Sequence, residues 1–311
     1  MTIKFKVLNF TQSNQAKIDG RFTHLSYKYF AFETRETKIF ALSENENIIC
    51  YVPFAQENSL MISHPNAFAC GVIWASNIEV DKITWYIKFL VKNIQKYCDS
   101  NSSSFILKMW PNEFSSLFEK TNSIFLEEGF KVNEEKKTYV LDLNNRVMSS
   151  AKKRIMRKID TLDYKIENYS SANFEESFLY LKKNYEIHGL QLPFSKNRLH
   201  HLMENDLNCK LFTLRNKDRE IIGCAYSYCI YELIRVPIYI TSRDMKNSTE
   251  SLLEEIFKFY SNMGIYVFDL GTALDPKSSE EKIGIVNFKE SLGARGVIAR
   301  SLIYQGKLHS L

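Results

Sequence analysis

Apolar and polar positions alternate along this chain in an order that occurs twice. In the first run, the strand Asn47 to Phe54 (NIICYVPF) is entered through the polar turn Ser43-Glu44-Asn45-Glu46, and a second strand is expected over Ala67 to Ala75. Ile83, Tyr86, Leu90 and Ile94 then keep helical spacing, which predicts a helix over Val80 to Tyr97. The strand Phe105 to Trp110 stops at Pro111, a helix from Phe114 to Glu128 ends at Gly129, and Thr138 to Leu143 reads as a closing strand. The second run begins at the turn Asn216 to Arg219. Strands follow over Glu220 to Tyr231 and Ile234 to Thr241, then a helix over Thr249 to Met263 with Ser248 or Thr249 as N-cap. A strand Tyr266 to Leu270, a helix Lys282 to Leu292 ending at Gly293, and a strand Val297 to Tyr304 complete it. Hairpin, helix, strand, helix, strand thus repeats at an offset of roughly 160 to 170 residues, the signature of a duplicated α/β unit.

A length of 311 residues suits two domains of about 150 each, placed at 1–145 and 146–311. With 45% hydrophobic and 25% charged residues, and only 6 Pro and 11 Gly, disorder and collagen-like order are excluded. The net charge of +5 is a mild excess, so its placement matters more than its size. The longest apolar run, Ile48 to Ala55, is too short to span a bilayer, and Met1 to Phe10 shows no signal-peptide core; a cytoplasmic location is expected. The six cysteines have no zinc or redox spacing and are expected to be buried small hydrophobes. No nucleophile elbow, Walker loop, dinucleotide fingerprint or H-E-x-x-H motif is present, which argues against a hydrolase, kinase, dehydrogenase or zinc protease, and no metal is expected.

Five segments in order carry a resemblance. They are Leu126-Glu127-Glu128-Gly129-Phe130 with Thr138-Tyr139-Val140-Leu141-Asp142-Leu143; the basic helix Lys152-Lys153-Arg154-Ile155-Met156-Arg157-Lys158-Ile159; Tyr185-Glu186-Ile187-His188-Gly189; Phe268-Asp269-Leu270-Gly271; and Ile283 to Lys289 followed by Leu292-Gly293-Ala294. Together they resemble the Fem-type peptidoglycan-bridge proteins. The resemblance implies an α/β (α+β) fold of two tandem N-acetyltransferase-like domains, each a mixed, mostly antiparallel sheet flanked by helices, with most of the site in the second. No long heptad segment is seen, so the helical arm of some bridge enzymes is not expected.

The basic helix packs five cations into seven residues without an interleaved carboxylate, so they repel one another unless an anion relieves them. Ala151, Ile155, Ile159 and Leu162 form its expected buried stripe. The resemblance places Arg154 or Arg157, with Lys153 beside them, on a pyrophosphate of the acceptor. It also puts Lys289 in a channel between the halves, where its ammonium would stabilise the oxyanion of acyl transfer, partly buried beside Asp269. Asp269 ends a strand, and is either a general base for the amine or a cap for the turn before Gly271. Arg243 and Lys246 lie in the strand-to-helix loop that holds pyrophosphate in acetyltransferases, although both glycines of that loop are missing. His64 is a further candidate for substrate contact, and Asp244 and Asp275 are weaker ones.

These residues point to an N-acyltransferase that forms an amide between an activated acyl group and an amine on a cell-envelope glycan or nucleotide-sugar precursor. The donor is acyl-coenzyme A (acetyl-coenzyme A the simplest) or aminoacyl-tRNA. A chain without the arm favours the first; the degenerate glycine loop and cationic helix favour the second. The acceptor is a small or lipid-linked glycan bearing pyrophosphate, with peripheral membrane contact left open. The alternatives are a Fem-type aminoacyl-tRNA-dependent peptidyl or protein aminoacyltransferase, and a catalytically silent binder of anionic glycan or RNA.

Overall fold

The computed structural model describes residues 2–9, 37–63, 71–75, 78–112, 115–159, 164–187, 189–192, 194–205, 209–230, 233–242, 244–245, 247–275, 278 and 280–307. In chain order the elements are β1 (Ile3–Asn9), β2 (Thr37–Glu44), β3 (Asn47–Glu57), β4 (Leu60–Ser63), β5 (Ile73–Trp74), α1 (Ile83–Ser100), β6 (Ser104–Lys108), α2 (Ser116–Glu127), β7 (Lys131–Asp142), α3 (Ser150–Ile159), β8 (Lys165–Asn168), α4 (Ser171–Ile187), α5 (Lys196–Asn205), β9 (Cys209–Arg215), β10 (Ile221–Ile230), β11 (Leu233–Thr241), α6 (Ser248–Ser261), β12 (Val267–Asp269), α7 (Ile283–Ser291) and β13 (Arg295–Gln305). The repeat is present: α1, β6, α2 and β7 are followed by α6, β12, α7 and β13 at an offset of roughly 165 residues.

The chain divides into two compact units. The first takes the described residues up to Lys137 together with Val297 onward, and the second takes Thr138–Gly296. β13, which the sequence reading assigned to the second half, is therefore counted from Val297 with the first unit.

In the first unit the strands lie in the order β1-β2-β3-β4-β6-β13, with the start of β7 beside β13 and β5 on β3. β1–β2, β2–β3, β3–β4, β3–β5 and β6–β13 are antiparallel, and β4–β6 is parallel. The β2–β3 hairpin turns through Asn45 and Glu46, both at positive φ, the geometry that matches the right-handed twist of paired strands. Phe40, Phe54 and Phe105 from the sheet pack on Ile87, Leu90 and Ile94 of α1, so the helical stripe read from sequence faces this core. α2 starts on Ser115, whose Oγ accepts from Leu117 N–H at 3.1 Å, and ends before Gly129 at φ 97°.

In the second unit the order is β7-β12-β11-β10-β9-β8. Only β11 and β12 are parallel. Tyr139, Leu141, Ile234 and Phe268 of the sheet meet Leu252, Ile256 and Phe257 of α6. Arg146 pins the link between β7 and α3. Its Nε donates to Leu292 O at 2.9 Å, its Nη1 pairs with Glu254 at 2.9 Å, and its cation lies 5.3 Å from the Phe257 ring centre.

Three local expectations are corrected. α6 is preceded by Asn247 in the left-handed region with no side-chain cap, because the Ser248 hydroxyl donates back to Ser242 O and Met245 O instead. In α3, Ala151 is exposed and Lys152 is buried, so the inward face is rotated from the expected stripe; Leu162 lies outside the described residues. β7 begins at Lys131, not Thr138, since its first six residues are exposed and, Val132 apart, polar, and carry no apolar alternation to read. Of the cysteines, Cys50, Cys98, Cys209 and Cys224 are buried and burial pushes the Cys224 thiol up to about 12, while Cys70 lies outside the described residues.

Gly293 ends α7 at φ 95°, where an added Cβ would come within 3.0 Å of Val147 O. Gly293→Ala is expected to lower unfolding free energy by about 1–3 kcal/mol, read from denaturant midpoints.

Candidate active site

The site lies inside the second unit, where two parallel strands part. β11 and β12 pair only over Leu233–Arg235 and Val267–Asp269. β11 then runs on to Thr241, while the chain after β12 turns out of the sheet at Gly271, φ 77°. Where the strands separate there is a cavity of about 420 Å³. Its walls are Pro237, Ile238 and Tyr239 of β11, Leu270 to Thr272 after β12, Ile285, Phe288 and Lys289 of α7, with Tyr185 and Thr249 at its margins. This is the carboxyl edge of parallel strands, where α/β folds place ligands. Opposite the cavity, Val236 and Pro237 face the single residue Ser227 of β10, a bulge that bends β11 at this point.

A fully buried charge cluster forms the floor. Asp269 has no exposed surface. Its Oδ2 pairs with Arg235 Nη1, and its Oδ1 accepts from Thr138 Oγ1 at 2.5 Å and from Gly271 N–H at 2.8 Å. Both oxygens are engaged, so this carboxylate caps the turn before Gly271 and neutralises Arg235; it has no open oxygen facing a substrate amine. Arg235 was not singled out in the sequence, although a lone arginine in the apolar run Leu233 to Ile240 is itself a sign of a paired buried charge.

Lys289 stands above this floor with 1% of its surface exposed. Its Nζ donates to Gly271 O at 2.9 Å and Thr272 O at 2.7 Å, and sits 5.3 Å from the Tyr139 ring centre. Gly271 thus links the two groups, donating to Asp269 and accepting from Lys289. Desolvation pushes the Lys289 ammonium down to about 8; the Asp269 charge opposes this and the Arg235 charge adds to it. Burial also raises the Tyr185 hydroxyl to about 12 and moves the Tyr239 hydroxyl upward.

The basic helix α3 reaches the same wall through one residue. Lys152 is buried, pairs with Glu250 of α6 at 2.6 Å, and lies 4.8 Å from the ring centre of Phe288, which lines the cavity. The carboxylate missing from the helix's own sequence is therefore supplied by α6 for this one cation. Lys153, Arg154 and Arg157 are exposed and form no ion pair among the described residues. Asp275 pairs with Lys282 at 2.8 Å, and Asp244 is exposed. His64, Arg243 and Lys246 lie outside the described residues. Among the described residues no group of three or more His, Cys, Asp or Glu side chains could hold a metal ion.

Two measurements follow from the cluster. Arg235→Met leaves the Asp269 carboxylate buried without its cation and is expected to cost about 3–5 kcal/mol of unfolding free energy. Between about pH 8 and the ordinary lysine value, the folded chain has released the Lys289 proton and the unfolded chain still holds it. Stability therefore rises with pH across that window, by roughly 1 kcal/mol per pH unit, relative to Lys289→Met. Urea unfolding at pH 7.5, 9 and 10 checks this.

No protein-family model matches the sequence, and no curated protein matches it. Solved structures do match in fold. FemX aligns with a TM-score of 0.68 at 10% identity, over 96% of this chain and 97% of that one. L-PGS from Bacillus licheniformis aligns with a TM-score of 0.63 at 12% identity, over 97% and 94%. A tandem GNAT protein from the clavulanic acid biosynthesis pathway aligns with a TM-score of 0.51 at 7% identity, over 99% and 100%. Duplicated order, parted parallel strands and these likenesses agree: the chain has the tandem N-acetyltransferase-like fold of the Fem type.

Proposed function

We propose that this protein is an N-acyltransferase that uses the β11–β12 cavity to pass an acyl group from a coenzyme A thioester to an amine on an envelope-glycan or nucleotide-sugar precursor. The observation that carries this reading is the buried Lys289 ammonium on the cavity wall, aimed by two carbonyl oxygens and held beside a neutralised Asp269–Arg235 pair. In the reaction the amine nitrogen bonds to the thioester carbonyl carbon, and negative charge grows on the carbonyl oxygen. The C–S bond then breaks, the nitrogen gives up one proton, and the departing thiolate takes that proton to leave as the free thiol. A cation already desolvated and oriented lowers the oxyanion's energy without reorganising at that moment. Asp269 acts indirectly, fixing the turn that aims Lys289.

The lining supports a thioester donor over an aminoacyl ester. Among the described residues the cavity wall contains no carboxylate, and its one cation not neutralised by an ion pair is Lys289. An acyl group bearing a free α-ammonium would meet like charge there, whereas an uncharged acyl group would not. Past Arg235, β11 pairs with β12 no further, so an extended amide-bearing arm can lie along that edge. The exposed Arg154 and Arg157, with Lys153, supply cations for a pyrophosphate on the acceptor.

The test is isotopic transfer from labelled acetyl-coenzyme A onto amine-bearing sugar nucleotides, with charged tRNA as the competing donor. Lys289→Met is expected to lower kcat by about 100- to 1000-fold with a smaller change in KM. Gly284 lines the cavity and is exposed, and an added Cβ there meets nothing within 4 Å, so Gly284→Leu is expected to narrow the cavity and lower turnover while leaving the melting temperature unchanged or raised. Transfer from charged tRNA alone would replace the thioester reading, and no transfer from either donor would support a silent binder.

A further inference from the structure

The first unit carries an exposed surface unrelated to this cavity. Along α1, Trp85, Lys88, Lys92 and Lys96 fall at helical spacing on one face, and all four are exposed. Half of the Trp85 surface is open. Its ring stacks on Phe89 at 5.3 Å and meets Tyr86 edge-on at 5.5 Å. Of the three lysines, Lys88 lies 3.9 Å from Glu128, and Lys92 and Lys96 form no ion pair among the described residues. Asp81, one turn before Trp85, and Asp99, one turn after Lys96, are acidic residues in line with the row; Asp99 accepts from Tyr304 Oη and Lys307 N–H. The opposite face, Ile83, Ile87, Leu90, Val91 and Ile94, is buried in the core.

We propose that this face of α1 docks on an anionic lipid surface, with Trp85 and Phe89 at the headgroup level and the three lysines over lipid phosphates. A row of cations along one helix with an amphipathic aromatic pair at one end matches the charge and depth profile of such a surface. Two details favour lipid over nucleic acid. One face of the Trp85 indole already lies on Phe89, which leaves at most one face for base stacking. The cations are all lysines, which act as point charges in a diffuse field and lack the planar fork that clamps individual phosphates. The proposal does not depend on the acyl-transfer reading, since no residue is shared.

Co-sedimentation of the full chain with vesicles tests it, using phosphatidylcholine alone and phosphatidylcholine mixed with phosphatidylglycerol. Binding is expected only to the mixed vesicles, and is expected to vanish near 1 M salt. Lys92→Gln and Lys96→Gln should each weaken it about fivefold. Trp85→Ser should weaken it about tenfold. All three positions are exposed, so melting curves should match the parent chain. Equal binding to both vesicle types, no binding to either, unchanged binding by the variants, or displacement of vesicles by tRNA at low concentration would each overturn it.

Discussion

The burial of one carboxylate organises the second unit. Asp269 sits at zero exposure where a parallel strand pair ends, and a carboxylate there is tolerable because both of its oxygens are paired, one with a cation. Arg235 from β11, Thr138 from β7 and the Gly271 amide from the following turn converge on it. Each of these comes from a different part of the chain, so satisfying one charge ties three strands into a fixed register. The same turn presents two carbonyl oxygens outward, and those hold Lys289. The position of the Lys289 cation is thus a secondary result of neutralising an anion below it.

This arrangement also explains how a lysine can be buried without an ion pair of its own. Its amine receives two carbonyl partners, the field of an anion one turn away, and the face of Tyr139. Those interactions do not fully replace water, and the pKa falls to about 8. Its titration therefore lies within reach of ordinary working pH, which would suit the role proposed for it.

Much of the architecture was readable because helix stripes and glycine stops are local signals. Ile83, Tyr86, Leu90 and Ile94 announced α1, and Gly129, Gly264 and Gly293 marked helix ends that the structure places at positive φ. The polar start of β7 was silent because exposed, charged strand residues have no alternation. The two-residue strand β5 was too short to read, β4, α5, β8 and β9 were not assigned at all, and of α4 only the end was marked, by the segment Tyr185 to Gly189. At the site, Lys289 and Asp269 were found through motif resemblance, but their relation through Gly271 is a three-dimensional fact. Arg235 was passed over because strand propensity described its neighbours well enough. Lys152 was treated as one charge among five; only the folded chain brings Glu250 to it and separates it from the exposed Lys153, Arg154 and Arg157.

The membership of β13 has a consequence for biosynthesis. Residues from Val297 complete the first unit by pairing Ser301 to Gln305 with β6, yet they are translated after the whole of Thr138–Gly296. A ribosome that has released residues up to Lys137 has therefore delivered a sheet still lacking an interior strand. That sheet must wait with β6 open along one side while the other unit is made, a period in which chaperone shielding of the bare strand would matter most.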